Sequence, residues 1–104
     1  MIKLFSSEEE ASKAVAKGSL KLLIINEHRI CLAHTYSGFR AFDNSCPHQQ
    51  EPLHKGSLTH FDEVVCSLHH YRFNMIIGQE ANNRCQGMRL YSVKITESGV
   101  YLDL

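Results

Sequence analysis

An excess of either charge is missing from this chain: eleven Lys and Arg balance eleven Asp and Glu, for a formal net charge of zero. That speaks against a general nucleic-acid or polyanion binder, because displacing counterions from phosphates needs a basic surplus. Long apolar runs are missing too. The longest, such as Leu22 to Ile25, has four residues, far below the roughly 20 that span a membrane. The opening residues, Met1-Ile2-Lys3-Leu4-Phe5-Ser6, contain no apolar signal-peptide core. Proline is scarce, and both prolines fall between Asn44 and Gly56. There is no repeat, low-complexity tract or linker. These absences predict a soluble, cytoplasmic protein that binds neither nucleic acid nor membrane.

What is present is ordinary in bulk: 43% hydrophobic and 21% charged residues in a chain of 104. That composition is globular, and the length allows one small domain, 1–104, and not two. A domain this small buries only about two thirds of the surface its unfolded chain exposes, so a metal or cross-link would help it. Two counts stand out, four cysteines and seven histidines. In a reducing compartment such a pairing points to a metal or redox site more than to disulfides.

Ser6-Ser7 before Glu8-Glu9-Glu10 predicts a helix N-cap with acids in the first turn, and a short helix through Ala11 to Lys17, stopped at Gly18. The remainder reads as short strands: Leu20–Asn26, Arg29–His34, Phe39–Asp43, Val64–Val65, Tyr71–Phe73, Met88–Thr96 and Val100–Leu104. Asn26-Glu27-His28, Ser37-Gly38 and Glu97-Ser98-Gly99 mark the turns. The expected class is all-β, an antiparallel sandwich or barrel with one short helix near the N-terminus. Phe39, Phe42, Phe61 and Phe73 are core candidates. Cys31, in a strand beside Ile30 and Leu32, reads as a buried thiol acting as a small hydrophobe.

The strand pattern breaks twice, and each break begins at a cysteine. The first reads Cys46-Pro47-His48, the second Cys66-Ser67-Leu68-His69, with seventeen residues between His48 and Cys66. Two loops with one thiol and one imidazole each can grip a metal centre from opposite sides. A structural zinc, a mononuclear redox metal and a two-iron, two-sulfide cluster all accept such a set. Zinc arms more often separate the types, Cys-x-x-Cys in one and His-x-x-x-His in the other. Mixed arms let each loop give one ligand to each iron of a dinuclear cluster.

With these boxes the sequence resembles the Rieske iron–sulfur proteins, from roughly Phe39 to the C-terminus. The first box is Asn44-Ser45-Cys46-Pro47-His48 followed by Pro52-Leu53; the second runs from Cys66 through His69-His70-Tyr71-Arg72-Phe73-Asn74, with Gly78 after it. The resemblance implies a Rieske fold with a small cluster-binding subdomain at about 44–75. It implies one [2Fe-2S] cluster, with Cys46 and Cys66 on one iron and His48 and His69 on the other. Gln50 and His70 stand where the family commonly carries glycine, and Gln79 to Met88 lacks the proline of the segment that covers the cluster. His70 is expected beside the ligands or at the surface, and Cys85 as an inert loop thiol. His54 and His60 are expected to be solvated, and His28 and His34 to have no role.

The implied function is a soluble one-electron carrier of the ferredoxin type, itself no enzyme. Its partners would be a flavoprotein reductase and a terminal oxygenase or oxidase. A small electron-transfer subunit fixed in a larger complex and a zinc-stabilised β module that binds another protein are the alternatives. A catalytic oxygenase subunit is not expected, since these residues hold no catalytic domain or mononuclear iron site. The positions of the loop cysteines of high-potential relatives correspond to Glu51 and Leu68, so no inter-loop disulfide is expected. Relatives of high potential also donate serine and tyrosine hydroxyls to the cluster sulfurs. Tyr71 and Phe73 stand there, which implies a potential near the low end of the Rieske range, about −150 mV.

Overall fold

A computed structural model describes all 104 residues. Strand β1 (Ile2–Phe5) leads into helix α1 (Glu8–Ala14), then β2 (Leu20–Ile25), β3 (His28–Thr35) and β4 (Gly38–Asp43). A single turn of 3-10 helix, Leu53–Lys55, precedes β5 (Ser57–Leu58), β6 (Glu63–Val65) and β7 (Arg72–Asn74), and β8 (Leu90–Thr96) and β9 (Gly99–Asp103) close the chain. Six strands form one antiparallel sheet in the order β1-β9-β8-β4-β3-β2; β5-β6-β7 form a second, small one. No helix is long and apolar enough to cross a membrane.

Strand β3 shows how the sequence specifies this arrangement. Ile30-Cys31-Leu32-Ala33 is apolar at every position, so a period of two leaves an apolar row on both faces. Ile30 and Leu32 join one core with Ala11, Val15, Phe39, Val100 and Leu102. Cys31 and Ala33 join the other, with Phe42, Leu53, Val64, Phe73 and Met75. The second core also contains Cys46 and Cys66, which fixes the small sheet and both cysteine loops to the main one. Gly56 permits this closeness: a Cβ there would sit 1.9 Å from the Val65 carbonyl oxygen.

The strand expectations hold within a residue or two, and Asn26 and Glu27 turn the β2–β3 hairpin with φ of 48° and 69°. Four differences have physical reasons. The helix starts under the Ser7 cap as expected but ends at Ala14, not Lys17. Val15 turns extended at φ −130° and buries its side chain, while its carbonyl accepts a bond from His34 Nδ1 at 2.8 Å. Thus His34 does have a structural role: 9% exposed, it ties β3 to the end of α1 and stacks on Phe39. Strands β1 and β5 are additional; β1 is made by pairing with β9 at the far end of the chain and β5 by pairing with β6. Phe61 is not core: it sits 81% exposed at the turn between β5 and β6.

Candidate metal centre

The first cysteine loop leaves the end of β4 and the second joins β6 to β7. The two have the same backbone frame. Cys46 N–H donates to the Glu51 carbonyl at 2.9 Å and Cys66 N–H to that of Tyr71 at 2.8 Å. In return, Gln50 N–H donates to the Cys46 carbonyl at 2.6 Å and His70 N–H to that of Cys66 at 3.0 Å. The returning residues are left-handed, Gln50 at φ 60° and His70 at φ 58°. These are the two positions where glycine was expected from the resemblance. The loops therefore take a glycine-like conformation with ordinary side chains, at a cost of about 1–2 kcal/mol each.

This frame brings the four sequence-identified residues together as two unlike pairs. Cys46 and Cys66 are both buried and belong to the same core cluster. Burial pushes the Cys66 thiol up from its ordinary range, the Leu68 backbone opposes this, the neighbouring Cys46 thiol adds to the rise, and the His69 backbone opposes it. Those backbone groups are placed to stabilise a thiolate once a cation takes the proton's place. Toward solvent, the rings of His48 and His69 lie side by side, centroids 5.4 Å apart and nearly edge to face. His48 is half-buried and His69 exposed.

Two sulfurs inside and two imidazoles outside suit a dinuclear iron–sulfur centre, one pair to each iron. His70 lies beside the site, exposed at the turn. Cys31 is sealed in the core, its thiol pushed up to about 12 by burial, and is chemically quiet.

The profile of the Rieske [2Fe-2S] domain matches residues 7–94. The chain belongs to the Rieske family. Its cofactor is one Rieske-type [2Fe-2S] cluster. The methanesulfonate monooxygenase ferredoxin subunit of Methylosulfonomonas methylovora is 32% identical over 80 residues, 77% of this chain and 65% of that protein. The ferredoxin component of the alkene monooxygenase system of Xanthobacter autotrophicus is 28% identical over 78 residues, 75% of this chain and 64% of that protein. The Rieske chain thus aligns with slightly under two thirds of each relative's length. In fold it is similar to the ferredoxin of carbazole 1,9a-dioxygenase from Nocardioides aromaticivorans, with a TM-score of 0.81 at 17% identity over 98% of this chain and 97% of that one. A chain in the complex of reduced oxygenase and oxidized ferredoxin of carbazole 1,9a-dioxygenase gives 0.80 at 20% identity, over 98% of this chain and all of that one.

Several residues around the Rieske site carry no local sequence signal. His54 is not merely solvated: Asn44 grips it twice, through Nδ2 to His54 Nδ1 and from the His54 N–H to Asn44 Oδ1, both 2.7 Å. This clasp closes the first loop onto the 3-10 helix. His60 is exposed but stacks on Tyr36. Glu80, in the loop between β7 and β8, has a fully buried side chain bound by Arg84, whose side-chain hydrogen bonds hold the carboxyl down to about 2. Tyr71 stacks on His48, centroids 4.0 Å apart and planes 11° from parallel. Cys85 is half-buried against the core that holds the cysteine pair.

Proposed function

We infer that Cys46 and Cys66 hold one iron of the cluster and His48 and His69 the other, in a soluble, cytoplasmic one-electron carrier. The observation that carries this is the division of the donors: a buried thiol pair and a solvent-facing imidazole pair, offered by two loops of matching frame. When bound, the cluster supplies reversible one-electron reduction. The chain's own residues do the rest. The cysteines bind from the dry side, the loop N–H groups orient toward sulfur, and the imidazoles present the edge a partner can approach. With all four donors engaged, neither iron keeps a position for substrate, which fits a carrier and not a catalyst.

The donor is proposed to be a flavoprotein reductase and the acceptor a terminal oxygenase or oxidase, with no nucleic acid or membrane among the partners. The names of the relatives, ferredoxin components of monooxygenase systems, support this. We place the whole of 1–104 in one domain, with a cluster-binding subdomain at about 44–75. Phe73 is fully buried and offers no hydroxyl, and Tyr71 is engaged in stacking on His48. This supports a potential of about −150 mV, the low end for Rieske centres.

The test is iron and sulfide content, visible absorption and low-temperature electron paramagnetic resonance of the reduced protein. Two irons and two sulfides per chain with a Rieske-type signal support the assignment. A colourless protein carrying zinc overturns it. A potential well above zero overturns the placement of the chain beside oxygenase ferredoxins in favour of a quinol-oxidising role.

A further inference from the structure

The imidazole of His48 is backed by a stack that ends in a buried carboxylate. Tyr71 lies on His48 at 4.0 Å, and the guanidinium carbon of Arg84 lies 3.7 Å from the centroid of the Tyr71 ring. Two groups that close to one ring centroid cannot share a face, so Tyr71 is sandwiched between them. Arg84 is itself held rigidly. Its backbone N–H donates to Glu80 Oε1 at 2.7 Å, Nε to the same oxygen at 3.2 Å and Nη2 to Oε2 at 2.9 Å. Glu80 in turn is bridged to Phe73 of β7, two residues beyond Tyr71, so the middle of the stack and its carboxylate end are tied to the same stretch of chain, while His48 comes from the other loop.

Resting on the reading that His48 binds iron, we propose that Arg84 is a positioning residue for the centre. Pinned by Glu80, it clamps Tyr71 against His48, fixes the plane of that imidazole, and sets a positive charge behind it. Arginine suits the task in two ways. Its planar fork meets a carboxylate with two parallel bonds, and its flat face covers an aromatic ring. A lysine supplies the charge without the plane. The clamp stands in a segment that has no proline to stiffen it, and the ion pair of half-exposed Arg84 with buried Glu80 stiffens it instead. A positive charge there favours the reduced, more negative state of the centre.

The test uses the full chain with its cluster assembled, and reads visible circular dichroism, reduction potential and the rate of colour loss on warming. Arg84→Gln is expected to lower the ratio of reduced to oxidised centre at a fixed poise about threefold, which is about 30 mV at 59 mV per decade. It is also expected to alter the visible dichroism and speed colour loss about fivefold. Arg84→Lys should keep the potential but share the altered dichroism. Glu80→Gln should shift the ratio the opposite way, since a negative charge is removed, while altering the dichroism. Tyr71→Leu should reproduce the dichroism of Arg84→Gln, and adding Arg84→Gln to it should change the dichroism no further. Arg84 is half exposed, so its variants should fold, as far-ultraviolet dichroism will report. A coloured wild type whose Arg84→Gln and Arg84→Lys variants keep its visible dichroism and colour-loss rate overturns the clamp alone. A colourless wild type overturns the cluster reading and the clamp with it.

Discussion

The two cysteine loops share one hydrogen-bonded frame and differ in where it places histidine and in what supports it. The first puts histidine two residues after cysteine and the second three, so the same turn delivers the rings at 64° to each other. The first loop is closed by a polar clasp, Asn44 on His54, above the buried Leu53. The second is short, with Ser67 to His70 all exposed, and hangs from β7 through Phe73 and the Tyr71 stack. A repeated frame sets the distance between sulfurs; the unlike offsets and supports set the environment of each imidazole. The site is thus symmetric at its dry end and asymmetric at its solvent-facing end.

The largest expected effect breaks both loops equally. Cys46→Ser, Cys66→Ser, His48→Ala and His69→Ala should each give colourless or rapidly bleaching protein, checked by visible absorption and iron content. His70→Ala, which leaves the frame and removes only an exposed ring, should keep the spectrum. Bleaching by His70→Ala but not by His69→Ala would show that the second loop uses the other histidine.

Removing the supports separates the loops. Phe73→Ala deletes a fully buried ring beneath the second loop and should cost about 3–5 kcal/mol of unfolding free energy. Asn44→Ala strips both bonds of the first loop's clasp and should cost less, about 1–3 kcal/mol. Denaturant titration measures both. Equal costs would mean that the clasp supports more of the fold than its own loop.

These supports also mark where the sequence stops being readable. The close Cys/His pairs, the hairpins and the Ser7 cap are local, so spacing and turn residues reveal them. The supports depend on partners far along the chain. His34 meets Val15 nineteen residues away, and β1 meets a strand at the opposite end. Glu80 looks like a loop acid, because nothing nearby says that the β7–β8 connection folds its carboxylate inward. Phe61 misleads the other way: an aromatic beside a turn resembles core until the turn is seen to point outward. The left-handed Gln50 and His70 are visible only as departures from a family pattern.

Acid should weaken the β7–β8 connection selectively. Glu80 has its carboxyl held down to about 2 by Arg84, against an ordinary value of 4.5. A depressed carboxylate stabilises the fold above its unfolded value and loses that contribution as pH falls through the folded one. Stability should therefore decline between about pH 4.5 and about 2 partly through this group. Glu80→Gln should flatten that part of the acid limb in thermal scans of the cluster-free chain. An unchanged limb would place the acid sensitivity elsewhere.

The smallest effect tests whether the shared frame is real. Gln50 and His70 hold φ of 60° and 58°, a region that costs a residue with a Cβ about 1–2 kcal/mol. Glycine removes that strain but gives back about 0.5–1 kcal/mol through the greater freedom of the unfolded chain. Gln50→Gly and His70→Gly should therefore each stabilise the fold slightly, by about 0.5–1 kcal/mol, a rise in melting temperature of a few degrees. Gln50→Ala and His70→Ala retain the Cβ and should gain nothing. Because the two loops carry the strain at the same place in the same frame, the two glycine gains should match and add in the double variant. A gain in one loop with a loss in the other would mean that one of these side chains holds its turn by a contact that outweighs the strain, and the frames would be alike in geometry only.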